Sequence, residues 1–235
     1  IGELDSNGID VSGEITVTNT KYVVINDINF PDRIFRNYVN VNFDTKNDDI
    51  LTLKEATAIK EINVSDKNIY DLKGIEHFSS LNKLDCHSNQ LTILDLSKNT
   101  ELNELICYSN QLINLDLSKN TALIYLNCSE NQLINLNVIN SKDLIDLECY
   151  SNQLINLNIS NNTALKELSC YDNQLMNLDV SNNTELKYIY CYINKLNTLD
   201  VSKNELLSYL NCADNNLLKL NVGENTNLNY LLCYG

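Results

Sequence analysis

Leu102-Asn103-Glu104-Leu105-Ile106-Cys107-Tyr108-Ser109-Asn110-Gln111-Leu112-Ile113-Asn114-Leu115-Asp116-Leu117 is one copy of the motif that decides the fold. Its cysteine recurs at Cys86, Cys107, Cys128, Cys149, Cys170, Cys191, Cys212 and Cys233, and every gap is 21 residues. Aligned on these positions, the units read L-x-x-[LI]-x-C-x-x-N-x-L-x-x-L-x-[LIV]; a later copy runs Leu165, Leu168, Cys170, Asn173, Leu175, Leu178, Val180. A fixed period in the low twenties with this pattern predicts a leucine-rich-repeat solenoid, a right-handed superhelix with a parallel concave β-sheet. Seven full units run from Leu81 to about Asn227, and a partial eighth ends at Gly235.

Each column has a physical reason. Alternation through Leu105, Ile106, Cys107 and Tyr108 is a short strand of period 2, so leucine and cysteine face inward and their neighbours outward. The Asn column (Asn89, Asn110, Asn131, Asn152, Asn173, Asn194, Asn215) stands where the chain leaves the strand, and its amides are expected to bond backbone groups that the bend leaves unpaired. A second polar column, mostly Ser-x-Asn-Thr as in Ser97 to Thr100, marks the return turn; Ile139 and Ser141 break it in one unit, which predicts a local bend there. With 6 Gly and 1 Pro, the chain leaves turn-making to asparagine.

Composition narrows the function. Against 17 Lys+Arg stand 31 Asp+Glu, a formal charge of −14. Phosphate binding draws on clustered cations, so nucleic acid and anionic membrane surfaces are disfavoured partners. A hydrophobic content of 43% supports a packed core, and no apolar run approaches a membrane-spanning length. The chain opens on Ile1 without a basic-then-apolar leader, the start expected of a processed or excised piece.

The cysteines form one inward column. In-register parallel strands hold Cβ atoms about 4.8 Å apart, whereas a disulfide needs roughly 3.8 Å, so the thiols are expected to stay reduced as small core fillers. No C-x-x-C is present, and a linear column does not make a tetrahedral zinc site; no metal or cofactor is expected. His87 adjoins Cys86 on a strand, so their side chains leave opposite faces and form no Cys–His pair. Without a phosphate loop, H-E-x-x-H or G-x-S-x-G, no catalytic residue is assigned and a non-enzymatic role follows.

The amino-terminal third reads differently. Residues 1–27 are expected to be a leader, linker or added strand, and residues 28–58 a helix-loop-helix cap. Pro31 suits a first helical position, with Ile34, Phe35, Tyr38 and Val39 as an apolar stripe. Thr52-Leu53-Lys54-Glu55 reads as a capping box opening a second short helix. The loop from Asp44 to Glu55 has calcium-hand spacing, but Lys46 stands at a ligand position and Asp49 replaces the turn glycine; a degenerate loop with Glu55 as a cap is the favoured reading. Residues 59–235 are then the repeats: one 22-residue unit, seven of 21 and the partial eighth.

The segment from Phe30 through Ser80, with Ile59-x-x-Ile62-x-Val64 followed by Ile69, Leu72 and Ile75, resembles the helical cap and first repeat of internalin-like bacterial surface proteins. The resemblance covers residues 30–235. It implies a secreted or cell-wall-attached protein whose sheet face grips a host or surface ligand. The Cys-bearing 21-residue units depart from the Leu-based internalin repeat, so the partner does not transfer.

Function is expected on the outward side chains of the strands. One column reads Lys83, Glu104, Tyr125, Asp146, Glu167, Tyr188, Tyr209, Tyr230; the next Asp85, Ile106, Asn127, Glu148, Ser169, Tyr190, Asn211, Leu232; the last His87, Tyr108, Ser129, Tyr150, Tyr171, Tyr192, Ala213, Tyr234. Ten of the 13 tyrosines fall here. Tyrosine buries large area at little rotamer cost and keeps a hydroxyl for bonding, which favours a binding surface; a ladder that merely stabilises the sheet is the alternative. The candidate ligand-binding residues are Tyr108, Tyr125, Tyr150, Tyr171, Tyr188, Tyr190, Tyr192, Tyr209, Tyr230, Glu104, Asp146, Glu148 and Glu167. They fit a basic protein patch or a carbohydrate. A rigid stalk spacing another module from the cell wall, and a cytosolic effector scaffold, are the competing roles. The partial last unit carries no polar cap, so the chain is expected to be monomeric or to associate weakly through that end.

Overall fold

The computed structural model describes residues 22–235. The leader expected over residues 1–27 therefore lies largely outside the described residues. At its far edge β1 (Tyr22–Val24) pairs antiparallel with β2 (Ile50–Thr52). Between them lies helix α1 (Arg33–Phe43), and α2 (Leu53–Ala58) follows β2 directly.

Pro31 is not the first helical residue. Asp32 is the N-cap, its Oδ1 accepting the Ile34 and Phe35 amides at 2.7 and 2.9 Å, and Pro31 precedes it. The other carboxylate oxygen accepts from Tyr70 N at 2.9 Å, which fastens the helix start to the first coil. Thr52 and Glu55 form the reciprocal capping box of α2. Glu55 also accepts from the amide and hydroxyl of Thr45, and these hydrogen bonds, the Thr45 hydroxyl foremost, hold its carboxyl down at about 2. Asp44 accepts from Lys46 N and Asp49 N, so protein donors close the loop around its own carboxylates.

From there each coil contributes one strand: β3 (Glu61–Asn63), β4 (Lys83–Asp85), β5 (Glu104–Ile106), β6 (Tyr125–Asn127), β7 (Asp146–Glu148), β8 (Glu167–Ser169) and β9 (Tyr188–Tyr190). After β10 (Leu199–Asp200) come β11 (Tyr209–Asn211), β12 (Leu220–Asn221) and β13 (Tyr230–Leu232). Nine of these form one sheet in the order β13-β11-β9-β8-β7-β6-β5-β4-β3, every pair parallel and in register. β10 and β12 pair across the return side of the last coils. This is a leucine-rich-repeat solenoid with a parallel concave sheet.

One continuous core runs the length of the molecule. The Leu and Cys columns are buried, and Phe30, Phe35, Val39, Phe43 and Leu51 join the same cluster. Phe43 meets Phe78 edge-on with centroids 5.3 Å apart, so the helices cover apolar groups that the first coil would otherwise expose. Gly74, at φ 105, begins a short 3-10 turn (Ile75–His77); an added Cβ there would lie 2.2 Å from the Phe30 ring. All eight cysteines are free, seven buried and Cys233 exposed. Burial pushes the seven buried thiols up, Cys128 and Cys170 to about 12.

Two asparagine columns lock coil to coil. Asn110 Nδ2 donates to Cys86 O of the preceding coil, and to Cys107 O and Tyr108 O of its own, while its Oδ1 accepts from Leu91 N. On the return side Asn120 Nδ2 donates to Leu96 O and Asn99 O. The bend expected at Ile139 and Ser141 is absent. Ser141 N still donates to Val138 O and Leu144 N to Ser141 O, the backbone pattern of every other turn; Ser141 Oγ simply makes one bond, to Asn120 O, where asparagine makes two.

Candidate functional site

Left-handed backbone ends each strand and turns the outward columns into straight rows. Two residues after the cysteine, Ser88, Ser109, Glu130, Ser151, Asp172, Ile193 and Asp214 all sit at φ between 49° and 52°. The identical turn gives identical strand exits, so equivalent side chains stand directly above one another.

The row that follows the cysteines is an aromatic stack. Tyr150 and Tyr171 lie 4.4 Å apart and 6° from parallel; Tyr171 and Tyr192 lie 4.3 Å apart at 9°. His87 stacks on Tyr108 at 4.4 Å, its Nδ1 2.6 Å from Asp85 Oδ1 and its Nε2 3.4 Å from Asp66 Oδ2. Ser129 and Ala213 interrupt the row, and both are covered. In the strand columns Tyr209 stacks on Tyr230 at 4.7 Å and tilts against Tyr190 at the same distance. Tyr188 and Tyr230 are the most open of the candidate rings, 40% and 49% exposed, whereas Tyr150, Tyr171, Tyr192 and Tyr209 are partly buried.

The acidic candidates divide by partner. Glu104 is paired with Lys83 Nζ at 2.6 Å. Glu148 accepts from the Tyr125 hydroxyl at 2.6 Å and from Asn127 Nδ2 at 3.0 Å. Asp146 and Glu167 are directly opposite across β7 and β8, and no ion pair forms to either among the described residues. Burial first, then Glu167 and Glu148, pushes the Asp146 carboxyl up to about 7, and its Oδ1 is buried without a hydrogen-bond partner. Glu167 is raised as well, by burial and then Glu148. Like charges placed opposite one another oppose folding, so this pair is a local cost.

All thirteen candidates thus lie on one face, in rows set by β5 to β13. The His87–Asp85–Asp66 cluster beside Tyr108 is an addition, signalled in sequence only by the histidine that heads the row of Tyr108, Tyr150, Tyr171 and Tyr192. Another escaped the sequence reading: Ile113, Ile134, Ile155 and Met176 form an exposed row beyond the asparagine turn. The signal was their common position one residue after the buried leucine of each unit.

No family model matches the chain. Internalin J from Listeria monocytogenes is 40% identical over 71 residues, which is 30% of this chain and 8% of that protein. The functional domain of InlJ from Listeria monocytogenes, described as including a cysteine ladder, superposes with a TM-score of 0.56 at 29% identity, covering 91% of this chain and 57% of that one. Internalin C2 from the same species gives a TM-score of 0.79 at 22% identity, covering 91% and 98%. The chain spans less than a tenth of the curated relative that it matches. In fold and in its cysteine-bearing repeat, the chain is similar to internalin leucine-rich-repeat proteins.

Proposed function

We propose that the chain is a non-enzymatic, extracellular binding domain that captures a protein ligand on the tyrosine-rich concave face. The observation that carries this reading is segregation: ten tyrosines occupy three outward rows of one sheet, where folding requires only polar side chains. The partly exposed tyrosines, and the open rings of Tyr188 and Tyr230 above all, offer amphipathic contact area with few rotamers to freeze. Asp146 and Glu167 stand opposite one another with both carboxyls resisting ionisation, and a basic patch on the ligand would draw them into the charged form. A protein ligand is favoured over a carbohydrate because the stacked rings cover one another's faces, and it is faces that sugars stack upon. The likeness to internalins supports display at the cell surface or secretion. Among the described residues no helix is long and apolar enough to cross a membrane.

The test is the variant Tyr171→Ser/Tyr190→Ser/Tyr192→Ser, presented with wild type to an array of extracellular proteins. Wild type should retain a ligand that the variant loses, while both unfold cooperatively in urea. Equal capture by the two proteins would remove the concave face from the reading. Capture by neither would favour the stalk role.

A further inference from the structure

The stacked tyrosines bring phenol rings face to face in a geometry suited to a covalent reaction. Tyr150, Tyr171 and Tyr192 are parallel within 9° at centroid separations of 4.3 to 4.4 Å, and Tyr209 with Tyr230 repeats the arrangement at 4.7 Å and 8°. We propose that these rows are sites of oxidative dityrosine cross-linking, in which a one-electron oxidant of the peroxidase class ties successive coils together through carbon–carbon bonds.

The chemistry balances without any group from the protein beyond the two phenols. Each ring gives up one electron and its hydroxyl proton, leaving a phenoxyl radical whose spin is shared between oxygen and the ortho carbons. Stacking aims the p lobes of neighbouring ortho carbons at one another, so two adjacent radicals pair their electrons in a new C–C bond. The ortho hydrogens then return to the oxygens as both rings regain aromaticity. Two tyrosines have lost two protons and two electrons in total, and one hydrogen peroxide accepts them to become two waters.

Three features direct the reaction. Ring faces are covered by ring faces within one molecule, so an intramolecular partner stands at an effective concentration that a second molecule cannot match. None of these tyrosines is fully buried, so each has access to solvent, where the hydroxyl proton can leave. The competing reductants on the same strands, Cys149, Cys170 and Cys191, lie on the opposite, buried side. Burial keeps them protonated and unreactive.

The interruptions supply internal controls. Ser129 stands between Tyr108 and Tyr150, and Ala213 between Tyr192 and Tyr234, so neither of those pairs is in stacking contact. The seam is independent of what the face binds. It would join coils whose rings already stand 4.3 to 4.7 Å apart, through side chains long enough to close the remaining gap by tilting.

The experiment treats the full chain with a haem peroxidase and limiting hydrogen peroxide. It reads dityrosine fluorescence, intact mass and peptide linkage by tandem mass spectrometry. The expected product is a monomer lighter by two hydrogens per link, with links mapping to Tyr150–Tyr171, Tyr171–Tyr192 and Tyr209–Tyr230. Tyr171→Phe, which keeps the stack, should remove the first two links and leave the third. Ala213→Tyr should create a link to Tyr192. Links that fall mainly between molecules, that join Tyr108 to Tyr150 as readily as Tyr150 to Tyr171, or that form no faster than in the urea-unfolded chain would overturn the proposal.

Discussion

Replacing Asn173 by alanine isolates what the inner asparagine column contributes. Its Nδ2 donates to Cys149 O, Cys170 O and Tyr171 O at 3.0, 3.2 and 3.2 Å, and its Oδ1 accepts from Leu154 N at 2.9 Å. The three carbonyls are not orphaned by the change. Cys149 O keeps Asn152 Nδ2, Cys170 O keeps Asn194 Nδ2, and Tyr171 O keeps Ser151 N. Leu154 N, in a fully buried residue, loses the one acceptor it has. A stranded buried donor costs about 1–3 kcal/mol, and weakening the shared bonds adds up to about 1 more, so the expected loss is about 1–4 kcal/mol. Asn182→Ala is the control: its amide is exposed and makes a single 3.3 Å bond to Ser160 O, and its loss should stay within about 0.5 kcal/mol. Urea titration followed by circular dichroism gives both values, and hydrogen exchange locates the damage at the Leu154 amide. Asn173→Asp sharpens the sign, since an ionised carboxylate would face three carbonyl oxygens; its deficit should be small near pH 4 and grow as pH rises. An alanine variant within 1 kcal/mol of wild type, with Leu154 as protected as before, would refute the reasoning.

Ile193 is a β-branched residue at φ 51, where the other coils place Ser, Glu or Asp, and it is 46% exposed. Relieving left-handed strain recovers about 1–2 kcal/mol, and losing the buried part of the side chain offsets some of it. Ile193→Asn should therefore raise stability by about 1 kcal/mol, and an unchanged or lower urea midpoint would contradict that. The Asp146 carboxyl is raised from 3.8 to about 7, so the folded state holds its proton more tightly than the unfolded chain does. That contribution is complete below pH 4 and is lost as pH rises through about 7; Asp146→Asn should abolish this decline and exceed wild-type stability at pH 8. Under denaturation a thiol assay should find eight sulfhydryls, whereas in the native protein Cys233 alone should label promptly, the other seven waiting on unfolding.

Period 2 within a strand and period 21 between strands leave no freedom about which columns face the core, and for that reason the Leu, Cys and Tyr registers could be read from residues alone. What could not be read depends on partners far away in sequence. Asp32, not Pro31, opens α1 because its carboxylate also holds the amide of Tyr70, 38 residues on. β2 went unseen because three residues, Ile50–Thr52, carry no period; they become a strand only by meeting Tyr22–Val24. The bend expected at Ser141 failed for the opposite reason, since that turn is held by backbone bonds that serine makes as well as asparagine.

The concave face shows the same division between pattern and partner. Its membership follows from alternation, but its energetics do not, because Glu104, Glu148 and Asp146 look equivalent in sequence. Lys83 neutralises the first, Tyr125 and Asn127 bind the second, and the third is left half-buried opposite Glu167. A sheet selected for stability alone would place an amide or a cation at position 146, opposite Glu167. Retaining an aspartate that resists ionisation, beside an aromatic row that folding does not require, is intelligible if a cationic group on a ligand completes the pair. Two unrelated tests bear on that claim together: the Asp146→Asn stability profile, read without ligand, and the triple tyrosine variant, read with it. A gain in stability from the first and a loss of capture from the second would show the same surface trading folding free energy for recognition.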